Sequence, residues 1–382
     1  MSQVTNNDAG EQGSLLRLRA NRVAAMLETA AEEMLEQGLI GVAARIDIPG
    51  LSRPVIVASG HQELNRSDKL AGTELFAIAS QSKMFTAAAI LLLIQDGIIS
   101  LDDPVARYVP DVPAVDGKET IAQFLNHTSG IGNFIHALTT LPYPWPTMSY
   151  EDIMALARIQ GKQYEPGAKF DYNNTDVVVL ARLCEVVTGM PIERFLCDRI
   201  FNPLGMNETY IASGGDWPRN RMAKGYYLPA QGYDGPPLDV STLKNYSIAS
   251  AAGNIVSSLA DMNRWGQCLL TPNNVLGLTL QDFTAAIAEA GTGNPGWFFP
   301  RRYGFGMESW LWGGRRFWGH RGSFFGYHSG TFIEMQSGIT FSMFLTMCTA
   351  GSFMRFIDLQ AYDYMQFMAS CAQAAVDITE LD

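Results

Sequence analysis

The β-forming residues of this chain are gathered at its two ends, and that distribution constrains the fold more than any other feature. Gly41-Val-Ala-Ala-Arg-Ile-Asp-Ile and Pro54-Val-Ile-Val-Ala-Ser read as two short strands broken at Pro49-Gly50. After Arg302 the segments Tyr303 to Leu311, Arg316 to Trp318, Tyr327 to Met335 and Ile339 to Cys348 are again rich in aromatic and branched residues. Between about Thr73 and Ala290 helix and loop signals dominate, punctuated at Pro110 to Pro113, Leu141 to Pro146 and Leu228 to Pro237. Helical spacing predicts an opening helix over Ser14 to Gln37, stopped by Gly38, and a closing one over Phe353 to Asp377. The most economical assembly is an α/β (α+β) fold. N- and C-terminal strands pair in one antiparallel sheet flanked by helices, and the middle becomes a mostly helical inserted subdomain. On this reading residues 1–13 are a flexible N-terminus and 14–382 one catalytic domain, with an α/β lobe of about 14–115 and 300–382 and a helical lobe of about 116–299. The seam between the lobes is the natural pocket.

At 382 residues the chain is long for one compact core, and 47% hydrophobic against 17% charged residues allow a large buried interior. A net charge of -11 argues against nucleic acid or an anionic membrane as a partner, since both repel the chain at long range. The N-terminus, MSQVTNNDAGEQGS, has no basic region followed by an apolar one, so a cytoplasmic protein is expected. Cys184, Cys197, Cys268, Cys348 and Cys371 are odd in number and scattered; neither a disulfide framework nor a zinc site is suggested, and no metal or other cofactor is expected. The uncharged run Met335 to Met354 carries serines, threonines and a turn-like Ala-Gly-Ser, which fits a buried strand and turn better than a membrane span.

Three stretches could carry chemistry. In FAIASQSKMFTAAAILLLIQDG, Ser80 and Lys83 stand at i and i+3 on one helix face, about 5–6 Å apart at Cβ. Desolvation among Phe76, Met84, Phe85 and the alanines disfavours the lysine's charge, so it can take the hydroxyl proton as serine attacks a carbonyl. In PGAKFDYNNTDVVVLARLCEVVTG, Tyr172-Asn173-Asn174 opens a second apolar helix, placing a phenol and a carboxamide at its mouth. The phenol, as phenolate or relaying through lysine, suits a general base; the amide suits substrate orientation. In FWGHRGSFFGYHSGTF, a strand carries His320, Arg321, Gly322 and Ser323. His320 is placed to hydrogen-bond Tyr172 or a leaving group, Gly322 to let substrate backbone approach the strand edge, and the Ser323 N–H to join that of Ser80 in an oxyanion hole.

In this order the three stretches resemble the serine β-lactamase and penicillin-binding-protein superfamily. The resemblance is to its class C-like branch of D-aminopeptidases, D-amino acid amidases, family VIII esterases and transacylases. Ser80-Gln-Ser-Lys83 is similar to its Ser-x-x-Lys motif, Tyr172-Asn173-Asn174 to its Tyr-x-Asn motif, and His320-Arg321-Gly322 to the His-x-Gly form of its Lys-Thr-Gly motif. SLDDPVARYVPDVP, FLNHTSGIGNF, IFNPLGMNETY and RYGFGMESW extend the likeness over roughly Gly38 to Met347. The resemblance implies a β-lactamase/transpeptidase-like fold, a nucleophilic Ser80 and proton transfer shared by Lys83 and Tyr172. It also implies an acyl-enzyme, Asn174 on the substrate amide and an oxyanion N–H from Ser323. His320 departs from the lysine that many relatives use to bind a substrate carboxylate, and neutral imidazole offers no dependable charge near pH 7. Activity should fall below about pH 6–7 if His320 titrates as an ordinary histidine.

The expected function is a serine hydrolase cleaving a small amide or ester, such as a D-amino acid amide, short peptide or hydrophobic ester. The alternatives are an acyltransferase using the same acyl-enzyme and a catalytically dead binding relative; a homo-oligomer is left open. The pocket is expected to be aromatic: the resemblance places Pro142-Tyr-Pro-Trp-Pro146 and Gly296-Trp-Phe-Phe-Pro300 at its rim, and Trp312, Phe317, Trp318, Phe324 and Phe325 surround the third motif, some of them as core. His127 and Ser129, in Asn-His-Thr-Ser-Gly, read as structural, with the histidine satisfying backbone groups. Gly291-Thr-Gly293-Asn-Pro-Gly296 follows a helical run and contains proline, which excludes a dinucleotide loop. No Gly-x-Ser-x-Gly elbow occurs.

Overall fold

The computed structural model describes residues 8–112, 117–138, 147–213, 217–228, 235–242, 246–289, 302–312, 314–350, 367, 369–374 and 376. Helix α1 (Asp8–Glu36) leads into strands β1 (Gly41–Asp47) and β2 (Val55–Gly60). Far along the chain follow β3 (Glu308–Trp312), β4 (Arg315–Phe324), β5 (Tyr327–Glu334) and β6 (Ile339–Thr346). These form one antiparallel sheet in the order β2-β1-β6-β5-β4-β3, continued by two-residue strands at Arg302–Tyr303 and Ala288–Glu289. β1 pairs directly with β6, Ala43 opposite Phe344, so the two ends of the chain meet inside the sheet, one strand in from its β2 edge, as the β-rich ends require.

Side-chain alternation gives the sheet two buried faces. Val42, Ala44, Ile46, Phe332, Phe341, Met343 and Leu345 pack with Leu27, Ala31 and Met34 of α1 on one side, joined by Phe367, Cys371 and Ala372. Ala43, Ile333 and Phe344 face the other way, into the larger core with Phe76, Phe85, Trp265 and Phe283. Of the aromatics around the third motif, Trp312 and Phe317 lie with the α1 layer, and Trp318, Phe324 and Phe325 are buried in the larger core. The rim segments 142–146 and 296–300 lie outside the described residues, as does most of the closing helix. Cys184, Cys268 and Cys371 are buried thiols, while Cys197 is half-buried.

The centre of the larger core is α2 (Ser82–Gln95), whose residues from Ser82 to Leu93 are all buried. A helix apolar on every side can only be a core helix. Against it packs α3 (Asn174–Thr188), ended by Gly189 in the left-handed conformation. The sequence misses the short strands Leu75–Ala77, Tyr210–Ile211 and Ile255–Ser258, which make a three-stranded sheet under the start of α2; two to four residues are too few for a periodic signal. Tyr303 to Leu311, expected as one strand, is interrupted at Gly304–Met307. There Gly306, at φ 67°, brings the chain against the Lys83 carbonyl, 2.7 Å from where a Cβ would sit. Among the described residues no helix is long and apolar enough to cross a membrane.

Candidate active site

Ser80 lies in a 3-10 turn, Ala79–Gln81, between the strand Leu75–Ala77 and α2, rather than inside the helix. Ala79 adopts φ 50°, a conformation that costs a non-glycine residue free energy, and the turn leaves Ser80 part-exposed while its neighbours are buried. Three bonds hold the turn: Ile78 N–H donates to the Ile255 carbonyl (3.0 Å), Gln81 N–H to that of Ile78 (3.2 Å), and Gln81 Nε2 to Ser329 Oγ (2.7 Å).

Lys83, one turn on, is 1% exposed. Its Nζ meets Ser80 Oγ at 3.1 Å, Asn174 Oδ1 at 2.8 Å and the Ala252 carbonyl at 2.9 Å. Burial holds the amine well below the ordinary lysine value, opposed by the Glu308 carboxylate. Tyr172 and Asn173 precede α3 as expected: Asn173 is the N-cap, its Oδ1 accepting from Thr175 N at 2.8 Å, and Asn174 is the first helical residue. That cap sets Asn174 on Lys83 and the Tyr172 ring 4.9 Å from Lys83 Nζ. The Tyr172 hydroxyl hydrogen-bonds Ser80, and burial pushes its pKa up, which keeps the phenol protonated.

The third stretch lies beside the Ser80 turn on β4, with three differences from expectation. His320 does not reach Tyr172 through a hydrogen bond. Its ring lies 5.9 Å from the Tyr172 ring, centroid to centroid, but Nε2 pairs with Tyr303 Oη at 3.0 Å and Nδ1 with the Arg321 carbonyl. Burial takes the histidine down to about 4, so it does not titrate near pH 6–7. Gly322 is required as glycine by the protein's own backbone, since a Cβ there would stand 2.0 Å from the Ile78 carbonyl oxygen. Arg321 forks onto Glu308, Nε to Oε1 at 2.8 Å and Nη2 to Oε2 at 3.1 Å, and its guanidinium lies 4.6 Å from the Trp310 ring centre. β3 begins opposite Gly319, so residues 320–324 of β4 run past its end. Arg321 N–H points to that side, donating to Glu308 Oε1 at 2.8 Å, and by the two-residue alternation Ser323 N–H points the same way. Ser323 Oγ itself pairs with His328 Nδ1 at 2.8 Å.

Sequence reasoning missed Glu308, 1% exposed on β3. Burial works to raise its pKa, but Arg321 and His320 bring it below the usual carboxylate value. Its only signal is the Gly-Phe-Gly-Met-Glu run, where Gly306 sets a close approach to α2 and Gly304 one to the Phe283 carbonyl. His127, at φ 58°, satisfies side chains instead of backbone: Nδ1 meets Asp176 Oδ2 at 3.0 Å and Nε2 meets Tyr303 Oη at 3.2 Å. Ser129 Oγ donates to Asp176 Oδ1 at 2.5 Å. The structure thus brings Ser80, Lys83, Tyr172 and Asn174 into direct contact and sets Gly322 against their turn.

A family model described as Beta-lactamase matches residues 27–349. The solved structure of D-amino acid amidase from Ochrobactrum anthropi SV3 complexed with D-phenylalanine is 26% identical and superposes with a TM-score of 0.80, covering 93% of this chain and 99% of that one. Penicillin-binding protein 4 of Amycolatopsis lactamdurans is 27% identical over 332 residues, 82% of this chain and 84% of that protein. Penicillin-binding protein 4* of Bacillus subtilis (strain 168) is 35% identical over 154 residues, 40% of this chain and 34% of that protein. The first curated relatives are matched over about a third to a half of their own lengths.

Proposed function

The chain belongs to the Beta-lactamase family, and from that premise we propose that it is a serine hydrolase forming an acyl-enzyme on Ser80 and cleaving small amides or esters that carry no free carboxylate. The observation that carries the reading is the set of contacts at Lys83. An uncharged amine has two N–H bonds and one lone pair. Asn174 Oδ1 and the Ala252 carbonyl accept only, so they take the two N–H bonds and leave the lone pair directed at Ser80 O–H. Lys83 is therefore the general base that takes the Ser80 proton as Oγ attacks the substrate carbonyl. Tyr172, kept as a phenol, hands its proton to the departing amine or alkoxide and is reprotonated from Lys83. The N–H groups of Ser80 and Ser323 hold the oxyanion. Water then attacks the ester, with the same pair returning the proton to Ser80.

The substrate preference rests on where the positive charges are. Burial disfavours the charged forms of Lys83 and His320, and Arg321 is forked onto Glu308, so none of the three is placed to offer a carboxylate a dependable cation. Likeness to an amidase solved with D-phenylalanine favours amides of D-amino acids within this class. The test is a panel of D- and L-amino acid amides, nitrophenyl esters, a cephalosporin and D-alanyl-D-alanine peptides. Turnover of the neutral amides or esters, lost in Ser80→Ala, is expected. Preferential turnover of the carboxylate-bearing peptides or the cephalosporin refutes the substrate class, and no turnover of any member refutes the hydrolase.

A further inference from the structure

Behind the site runs a buried hydrogen-bonded chain of side chains, Ser129–Asp176–His127–Tyr303–His320, drawn from four separate elements. His127, Asp176 and Tyr303 are 1%, 0% and 0% exposed, and His320 is 2% exposed. The chain's polarity follows from its far end. A carbonyl oxygen only accepts, so the His320 nitrogen facing the Arg321 carbonyl, Nδ1, carries a hydrogen. In an uncharged imidazole Nε2 is then bare, and Tyr303 O–H donates to it. A hydroxyl has one hydrogen, so Tyr303 Oη accepts from His127 Nε2–H. His127 Nδ1 is bare in turn and accepts from a protonated Asp176, whose other oxygen accepts from Ser129.

We propose that Tyr303 is a positioning residue for the reaction. It carries one hydrogen-bond direction from Asp176 through His127 to His320, and so holds His320 as the uncharged Nδ1–H tautomer against Tyr172 and Lys83. This rests on the reading of Ser80, Lys83 and Tyr172 as the catalytic group. Glu308, Lys83, Arg321 and Tyr172 face His320 from β3, α2, its own strand and the mouth of α3. Burial and the Arg321 charge disfavour the imidazolium, the Glu308 carboxylate draws a proton toward it, and the hydrogen that Tyr303 places on Nε2 occupies the lone pair such a proton would take. An imidazolium there would repel the proton that Lys83 must accept and weaken the base. A pKa raised at Asp176 and lowered at His127, both caused first by burial, agrees with the derived direction.

Two measurements test this. Nitrogen-15 correlation spectra of the native protein at pH 7 should give His320 the Nδ1–H tautomer and His127 the Nε2–H tautomer, and Asp176→Asn should keep both, because a carboxamide N–H can donate where the acid O–H did. A His320 carrying its hydrogen on Nε2, or loss of these tautomers in Asp176→Asn, overturns the proposal. In Tyr303→Phe, kcat should fall ten- to a hundredfold with KM within about twofold, and the acid limb of kcat should move upward by one pH unit or more. A limb that superimposes on the native one overturns the positioning role, even where thermal stability has dropped. The tautomer spectra need no substrate, so they are read whether or not Ser80 proves to be acylated.

Discussion

Gly322→Ala gives the sharpest structural perturbation of the site, because its cost can be read from distances. The new Cβ would stand 2.0 Å from the Ile78 carbonyl oxygen and 2.5 Å from Ser329 Oγ, where ordinary contact begins at 3.4 Å. Relief at the carbonyl takes 3.4 − 2.0 = 1.4 Å of movement, and the obstacle is backbone, so no rotamer change supplies it. Ile78 is two residues from Ser80, and its N–H is fixed to Ile255 while its carbonyl accepts from Gln81 N–H and Ser329 Oγ. Either β4 recedes with Ser323 N–H or the Ser80 turn shifts; both separate the two oxyanion donors. Overpacking of this kind costs about 1–3 kcal/mol of stability, and an ångström of misplacement costs about a hundredfold in rate. Gly266→Ala is the control: its Cβ meets Thr340 Cγ2 at 2.4 Å and Ile333 Cγ1 at 3.2 Å on the sheet, and its nearest atoms include none of the Ser80 turn. Steady-state kinetics on an aryl ester and thermal unfolding of both variants decide it. The reasoning fails if folded Gly322→Ala keeps kcat/KM within threefold of the native protein, or if Gly266→Ala loses as much.

Lys83→Met should lower kcat by 10²- to 10⁴-fold, the usual worth of a general base. It should hold or raise thermal stability at pH 7, because an amine whose pKa is depressed on folding opposes folding below its ordinary value; a clear fall in Tm would contradict this. Glu308→Gln should destabilise by about 1–3 kcal/mol, since it removes the buried carboxylate that accepts the Arg321 backbone N–H and its guanidinium fork; unchanged stability counts against it. His320 and His328 are brought by burial to about 4 and about 3, so they stay neutral in the fold while the unfolded chain binds protons below about pH 6.5. Their contribution is complete above that pH and is lost as pH falls through it, about 3 kcal/mol between pH 6.5 and 5 for the two together. His127 adds little to this loss, because its folded pair with a protonated Asp176 already holds the one proton that the unfolded pair takes up as pH falls toward 5. Denaturant titrations at the two pH values check the loss, and equal stabilities would refute it.

The large sheet was legible because its strands are five to ten residues long and their composition changes abruptly from the helical middle. Ser80, Lys83, Tyr172 and Asn174 were legible because each sits within three residues of a helix start, where local spacing alone places the side chain. His320 was placed on its strand correctly but given the wrong partner. A strand position fixes which face a side chain takes, not which of two nearby phenols it meets, and Tyr303 is brought there by the Gly304–Met307 break that composition could not reveal. Glu308 and Asp176 were missed for a similar reason. Each is a single buried carboxyl within an apolar run, and only the fold shows that Arg321 in one case, and Ser129 with His127 in the other, make its burial tolerable.

The covalent step at Ser80 is the one on which the roles of Lys83, Tyr172 and Asn174 converge. Incubating the protein with a slowly deacylated aryl ester, followed by intact-mass and peptide mass spectrometry, should add one acyl group, located on Ser80, with none added to Ser80→Ala and a strongly slowed addition in Lys83→Met. An acyl group found on Ser323, Ser82 or another residue, or turnover of the ester that persists undiminished in Ser80→Ala, would contradict it.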